Sequence, residues 1–162
     1  MFTRREWLTL TAGAGAALTL DPRSLLALQA QPVIRRAIPA SGEEIPIIGL
    51  GSSATFSQIA RAEDLTAIRS VLETLVKEGG TVFDTAPGYG ASEEVAGRVA
   101  ADAGLTNQIF WATKVNVAGR GNPKADPAAA RAQLDTSFSR LKKDKIDLIQ
   151  VHNLGDVPTQ LA

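Results

Sequence analysis

Cysteine is absent from this chain of 162 residues, and histidine and tyrosine occur once each. The missing cysteine excludes disulfides, thiol nucleophiles and cysteine-based zinc sites. A single histidine excludes a histidine-rich metal site, so no metal is expected. Net charge is lacking too. The 17 basic residues balance 17 acidic ones, which leaves no field for nucleic acid or an anionic membrane surface. A long hydrophobic run is also missing. The candidate stretch, Leu8 to Leu20, is rich in Ala and Gly and too short and weakly apolar to span a bilayer stably. The length suits one domain with a sizeable core.

The start of the chain reads differently from the rest. Thr3-Arg4-Arg5-Glu6-Trp7-Leu8 is a twin-arginine pattern, with Trp where Phe is commoner, and the Ala/Gly-rich stretch follows it. The expectation is a signal over residues 1–30 and a domain over 31–162, exported after folding to the periplasm or otherwise outside the cytoplasm. The competing reading is an N-terminal helix of the domain. Ala30 before Gln31 is a candidate cleavage point, although Leu28 fits the small-residue rule poorly. An uncleaved segment would act as an anchor.

The chain is organised around Gly80 to Glu93, GTVFDTAPGYGASE. A short apolar strand ends on Asp84, a Pro-Gly turn follows, and Tyr89 comes five residues after the acid. Ile109 to Val115 is a second strand, delivering Lys114. Ile146 to Val151 is a third, ending on His152 and Asn153. Taken singly, Asp84 reads as a turn or capping acid, Tyr89 as a half-buried loop aromatic, Lys114 as a surface lysine and His152 as a satisfied histidine. Successive βα units that each deliver such a group at the strand exit point instead to convergence on one face of a parallel sheet.

The remaining elements follow from period and punctuation. Val33 to Ile38 and Glu44 to Ile48 read as a β-hairpin, and Ile47 to Gly51 as a strand. Ala62 to Glu78 has helical period, with Leu65, Ile68, Leu72, Leu75 and Val76 as a core stripe and Gly79-Gly80 as its stop. Ser92 is the expected N-cap of the next helix, with Glu93 and Glu94 at its positive end. Its expected buried face is Val95, Ala96, Val99, Ala100 and Ala103. Asn116 to Ala125 is a long loop on the face where substrate pockets are shaped. Asp126-Pro127 caps a helix whose inner face is Leu134, Phe138 and Leu141. Lys142, Lys143 and Lys145 read as a solvated helix end.

These motifs resemble the aldo-keto reductase family. FDTAPGYGASE is similar to its signature, in which Asp and Tyr stand five apart. WATKV is similar to its lysine strand, LDTSFSRLKKDKIDLIQVH to its third helix and fourth strand, and GLGSS at Gly49 to Ser53 to its first strand. The resemblance covers roughly Val33 to Leu154. It implies an α/β fold, the first half of a (β/α)8 TIM barrel, with four βα units preceded by a hairpin that closes the barrel bottom. It implies NADPH, with NADH not excluded, as reductant of a small-molecule aldehyde or ketone. By the same resemblance Tyr89 is the proton donor, Lys114 its tuner, Asp84 the partner of Lys114 and His152 the group that orients the carbonyl or shares in proton relay. Gly51 and Ser52 would lie beside the nicotinamide, with Asp84 and Asn153 also at the cofactor. The chemistry makes physical sense. A carbonyl oxygen gaining negative charge needs stabilisation, an ordinary phenol is a reluctant donor at neutral pH, and an adjacent ammonium favours the phenolate. Four βα units leave open sheet edges. Self-association of the half barrel would cover them. The alternatives to an active reductase are a catalytically inactive half barrel acting as a binding or regulatory module, and four βα units of an open doubly wound sheet.

Overall fold

The structure is a computed structural model that describes residues 32–118 and 124–161. The twin-arginine pattern and the stretch behind it lie outside the described residues, as does part of the loop between Asn116 and Ala125. Strands β1 (Arg35–Ala37) and β2 (Glu44–Pro46) pair antiparallel, with Arg36 opposite Ile45. Gly42, at φ 72°, supplies the left-handed residue of the connecting turn. Then follow β3 (Leu50–Gly51), α1 (Thr55–Arg61), α2 (Leu65–Lys77), β4 (Val82–Asp84), α3 (Ser92–Asp102), β5 (Phe110–Val115), α4 (Pro127–Leu141), β6 (Leu148–Val151) and α5 (Val157–Gln160).

The second sheet has four parallel strands in the order β3-β4-β5-β6. Each new strand is laid beside its predecessor, and the order never reverses. A doubly wound sheet would reverse at a switch point, whereas sequential addition is how a (β/α)8 barrel is built. The fold class is therefore the one expected. Arg35, Glu44, Thr81, Ile109 and Asp147 line one cleft of about 170 Å³. The hairpin thus sits at the amino-terminal end of the parallel strands, away from the polar strand exits.

The core lies on the helix side of the sheet. Phe83 and Trp111, register partners, are fully buried there with Ile68, Leu72 and Leu141. Phe83 meets the Phe56 and Trp111 rings edge to face at 5.2 and 5.3 Å. Strand alternation turns the next residue of each pair, Asp84 and Ala112, to the opposite face. Along α3 the expected stripe holds for Val95, Ala96, Val99 and Ala100, and Gly104 at φ 69° follows the helix end. Asp126 caps α4, its carboxylate accepting from Ala128 N at 2.9 Å, with Pro127 in the first turn.

Several expectations are corrected. Leu65 is 38% exposed and lies off the α2 stripe, whose fully buried members are Ile68 and Leu72. Ala62 to Asp64 separates two helices, and α1 had no sequence counterpart. Ser92 is not the N-cap of α3. Ala91 holds that position, and Ser92 lies inside the helix, its buried hydroxyl donating to Ser52 O at 2.9 Å. Ser92 is fully buried, and that carbonyl satisfies its hydroxyl. Among the described residues no helix is long and apolar enough to cross a membrane.

Candidate functional site

Asp84 ends β4, opposite Gly51 and Ala112 in the ladders. Lys114 stands one residue before the end of β5, opposite Gln150. Lys114 Nζ donates to Asp84 Oδ1 at 2.8 Å, to Asp84 Oδ2 at 2.6 Å and to Thr85 O at 2.9 Å. These bonds engage the three donors of an ammonium. The lysine side chain is 12% exposed and that of Asp84 37%, so the cation is the more desolvated partner and is matched by a carboxylate and a carbonyl. A buried ammonium without them would be costly.

The loop after β4 carries Tyr89. Its N–H donates to Ala86 O at 3.0 Å and its carbonyl accepts from Ser92 N at 3.2 Å, which ties the turn to the first residue of α3. The Lys114 ammonium lies 5.1 Å from the centroid of the Tyr89 ring. Because its hydrogen bonds go elsewhere, it meets the tyrosine through the ring. His152 follows β6, held by its N–H to Val115 O at 2.9 Å. Its imidazole meets the Tyr89 ring at 90° with centroids 5.5 Å apart. His152 Nδ1 is buried and has no hydrogen-bond partner. Asp84, Lys114, Tyr89 and His152 thus form one chain of contacts at the carboxyl edge of the sheet.

The other sequence-derived residues are placed less uniformly. Gly51 is exposed, and a Cβ built there would meet nothing within 4 Å, so an open strip runs beside Asp84. Ser52 has no exposed surface. Its N–H donates to Asp84 O at 3.0 Å, and its hydroxyl is buried without a partner. Gly51 is therefore on the open face and Ser52 behind it. Asn153 donates from Nδ2 to Asn116 Oδ1 at 2.8 Å, and its carbonyl accepts from Gln160 Nε2 at 2.9 Å, so it ties together the two loops beyond β5 and β6.

Two participants were not expected. One is the Thr85 carbonyl, which leaves no signature in residue type. The other is Glu93, expected at a helix end but found 1% exposed. It accepts from Thr113 Oγ1 at 2.7 Å and Arg140 Nη1 at 3.3 Å. Farther out, Asp156 is held below the usual carboxylate range by the backbone N–H of Ala125, and next by the Thr159 side chain. Its Oδ2 stands 3.0 Å from Ala125 N.

A sequentially wound parallel sheet with an acid, a lysine, a tyrosine and a histidine in contact at its carboxyl edge defines an α/β barrel-type protein with a polar site at the strand exits. The chain belongs to the aldo/keto reductase family, whose model matches residues 47–157. It is 32% identical over 121 residues to aldo-keto reductase YhdN of Bacillus subtilis, a match spanning 72% of this chain and 37% of that protein. It is 30% identical over 128 residues to the NADP(+) aldo-keto reductase yakc of Schizosaccharomyces pombe, spanning 73% and 37%. Among solved structures, an aldo/keto reductase from Klebsiella pneumoniae in complex with NADP and acetate superposes with a TM-score of 0.58 at 27% identity, over 78% of this chain and 42% of that one. The chain spans well under half the length of these curated relatives.

Proposed function

We propose that the chain carries the catalytic edge of an NAD(P)H-dependent reductase that converts small aldehydes or ketones to alcohols. The observation that carries the reading is the contact chain from Asp84 through Lys114 and Tyr89 to His152. NADPH is the favoured reductant, supported by the NADP and NADPH complexes of the Klebsiella pneumoniae reductase. The residues present fit the nicotinamide end of such a cofactor. Gly51 leaves an open strip beside Asp84, and His152 Nδ1 is a buried polar atom without a partner. Gly51, Asp84 and Asn153 would line the ring, with Ser52 supporting Gly51 from behind.

When bound, the nicotinamide supplies the hydride. The residues handle the charge and the proton. Tyr89 donates its phenolic proton to the substrate oxygen as negative charge gathers there. Lys114 stands against the ring of the phenolate left behind, and its positive charge stabilises that form. Asp84 and the Thr85 carbonyl fix the ammonium so that it need not reorganise during the step. His152, in edge-to-face contact with the Tyr89 ring, orients the carbonyl.

The test is oxidation of NADPH with a panel of aldehydes and ketones. Tyr89→Phe is expected to lower kcat by about 10²–10⁴-fold, the range of a general acid, with the affinity for NADPH nearly unchanged. Undiminished turnover in that variant overturns the role of Tyr89. Binding of NADPH without turnover by the unaltered chain, indifferent to Tyr89→Phe, would favour a binding or regulatory module. We also propose that residues 1–30 direct export by the twin-arginine route, on the strength of Arg4-Arg5 and the apolar stretch behind them. Retention of an Arg4→Lys, Arg5→Lys variant in the cytoplasm is the expected result, and its normal export would refute this.

A further inference from the structure

We propose that Glu93 is a positioning residue, a buried carboxylate that bridges the βα unit carrying Tyr89 to the one carrying Lys114 and so holds those two groups in register. It rests on the reductase reading only for its kinetic readout. Glu93 lies on the helix side of the sheet, 1% exposed, and receives Thr113 Oγ1 on Oε1 at 2.7 Å and Arg140 Nη1 on Oε2 at 3.3 Å. Both partners belong to the next unit, β5 with its helix α4. Glu93 is in the first turn of α3, directly beyond the Tyr89 turn. Thr113 is fully buried and immediately precedes Lys114 on β5. Arg140 is the penultimate residue of α4, the helix that leads into β6 and His152. The bridge therefore ties the start of α3 to β5 and to the last turn of α4, behind the sheet.

A role at the helix dipole does not account for this. Glu94, the next residue, is exposed in the same first turn and would serve the dipole without desolvation. Burying Glu93 is costly unless its oxygens are matched, and each of them has a donor of its own. The backbone is shaped to allow the match. A Cβ on Gly97 would stand 2.1 Å from Arg140 O and 2.7 Å from Leu141 Cα, so the glycine lets α3 and α4 touch main chain to main chain. That approach brings the Arg140 side chain within reach of Glu93. Among the described residues no hydrogen bond or ion pair of Glu93 extends to the face where Lys114 and Tyr89 meet, so its effect on chemistry is through position alone.

The protein has one tyrosine and one histidine, so their ring protons give unique nuclear magnetic resonance signals. The Tyr89–His152 ring contact can be read as an Overhauser effect without any turnover. In Thr113→Val, which leaves Glu93 and Arg140 in place, we expect most of that effect to be lost. We also expect kcat to fall about tenfold or more, with KM for NADPH unchanged and the protein folded. Thr113→Ser should restore both readouts, and Glu93→Gln, where it folds, should behave as Thr113→Val does. A folded Thr113→Val protein with the ring contact intact and full kcat overturns the proposal. So do losses that track the unfolded fraction and are not restored by serine. If the unaltered chain shows no turnover, the reductase reading fails, and the Overhauser series still decides the role of Glu93.

Discussion

Lys114 and Asp84 share one ion pair, but they are enclosed to different degrees, and substitutions should expose the difference. Removing the cation leaves a carboxylate with 37% of its side chain exposed, which water can solvate. Lys114→Met should therefore cost only about 1 kcal/mol of stability, as for a solvent-reachable pair. Removing the acid leaves an ammonium 12% exposed, facing the Thr85 carbonyl and a neutral amide. Asp84→Asn should cost about 3 kcal/mol, as when a buried charge loses its partner. Urea unfolding of both variants checks the order, and equal losses would contradict it. The residues of this pair, with Tyr89 and His152, were legible in the sequence because each stands at or just past the end of an apolar run. The fine division between Gly51 and Ser52 was not. β3 is two residues long, too short for alternation to reveal which residue faces outward. Ser92 and Glu93 were likewise readable as helix-start residues but not as buried ones, since their partners, Ser52 and Thr113, are 40 and 20 residues away.

At the level of elements, α3 and α4 approach main chain to main chain at Gly97. The atoms that would meet a Cβ there belong to backbone and cannot rotate aside, so the helices must part. Gly97→Ala should destabilise by about 3 kcal/mol, the upper part of the overpacking range, seen as a lowered unfolding midpoint. A second element-level tie is Asp156, which joins the segment before α5 to the residue before the α4 cap through Ala125 N. Its carboxyl is held below the usual range. The tie is thus fully present above the ordinary aspartate pKa of about 4 and is lost as the pH falls through the lowered value. The protection of the Ala125 amide against exchange, taken relative to the intrinsic rate at each pH, should fall in that acid window. In Asp156→Ala that protection should be low at every pH, and a wild-type protection factor that does not change through the acid window would refute the assignment. Helices with a strong apolar stripe, α2 and α3, were legible. α1 was not, because Thr55–Arg61 is short and its N-cap, Ala54, makes no side-chain hydrogen bond, so neither period nor punctuation marks it.

For the whole molecule, strand order and parallel pairing followed from the alternation of apolar runs and helices, whereas exposure did not. β6 is an edge strand, and Leu148, Ile149 and Val151 along it are 43%, 41% and 41% exposed. A parallel strand is ordinarily covered on both faces, and an open apolar edge invites pairing. The 162-residue chain on its own should therefore sediment above its 17.0 kDa mass in a concentration-dependent way. Ile149→Lys together with Val151→Lys should reduce that association, and a monomer at all concentrations would refute the expectation.

The Asp84–Lys114 bond joins residues 30 apart in the chain, and His152 comes later still. None of the polar groups can find its partners within a local turn. During synthesis at about 5–20 residues per second, the histidine leaves the ribosome's catalytic centre roughly 3–14 s after Asp84 does. The nascent chain therefore passes through an interval in which the acid and then the lysine have been made but the assembly they belong to cannot close. Any process that acts on the finished site, whether loading of a small molecule or inspection of foldedness before transport, can begin only after the fourth parallel strand has docked.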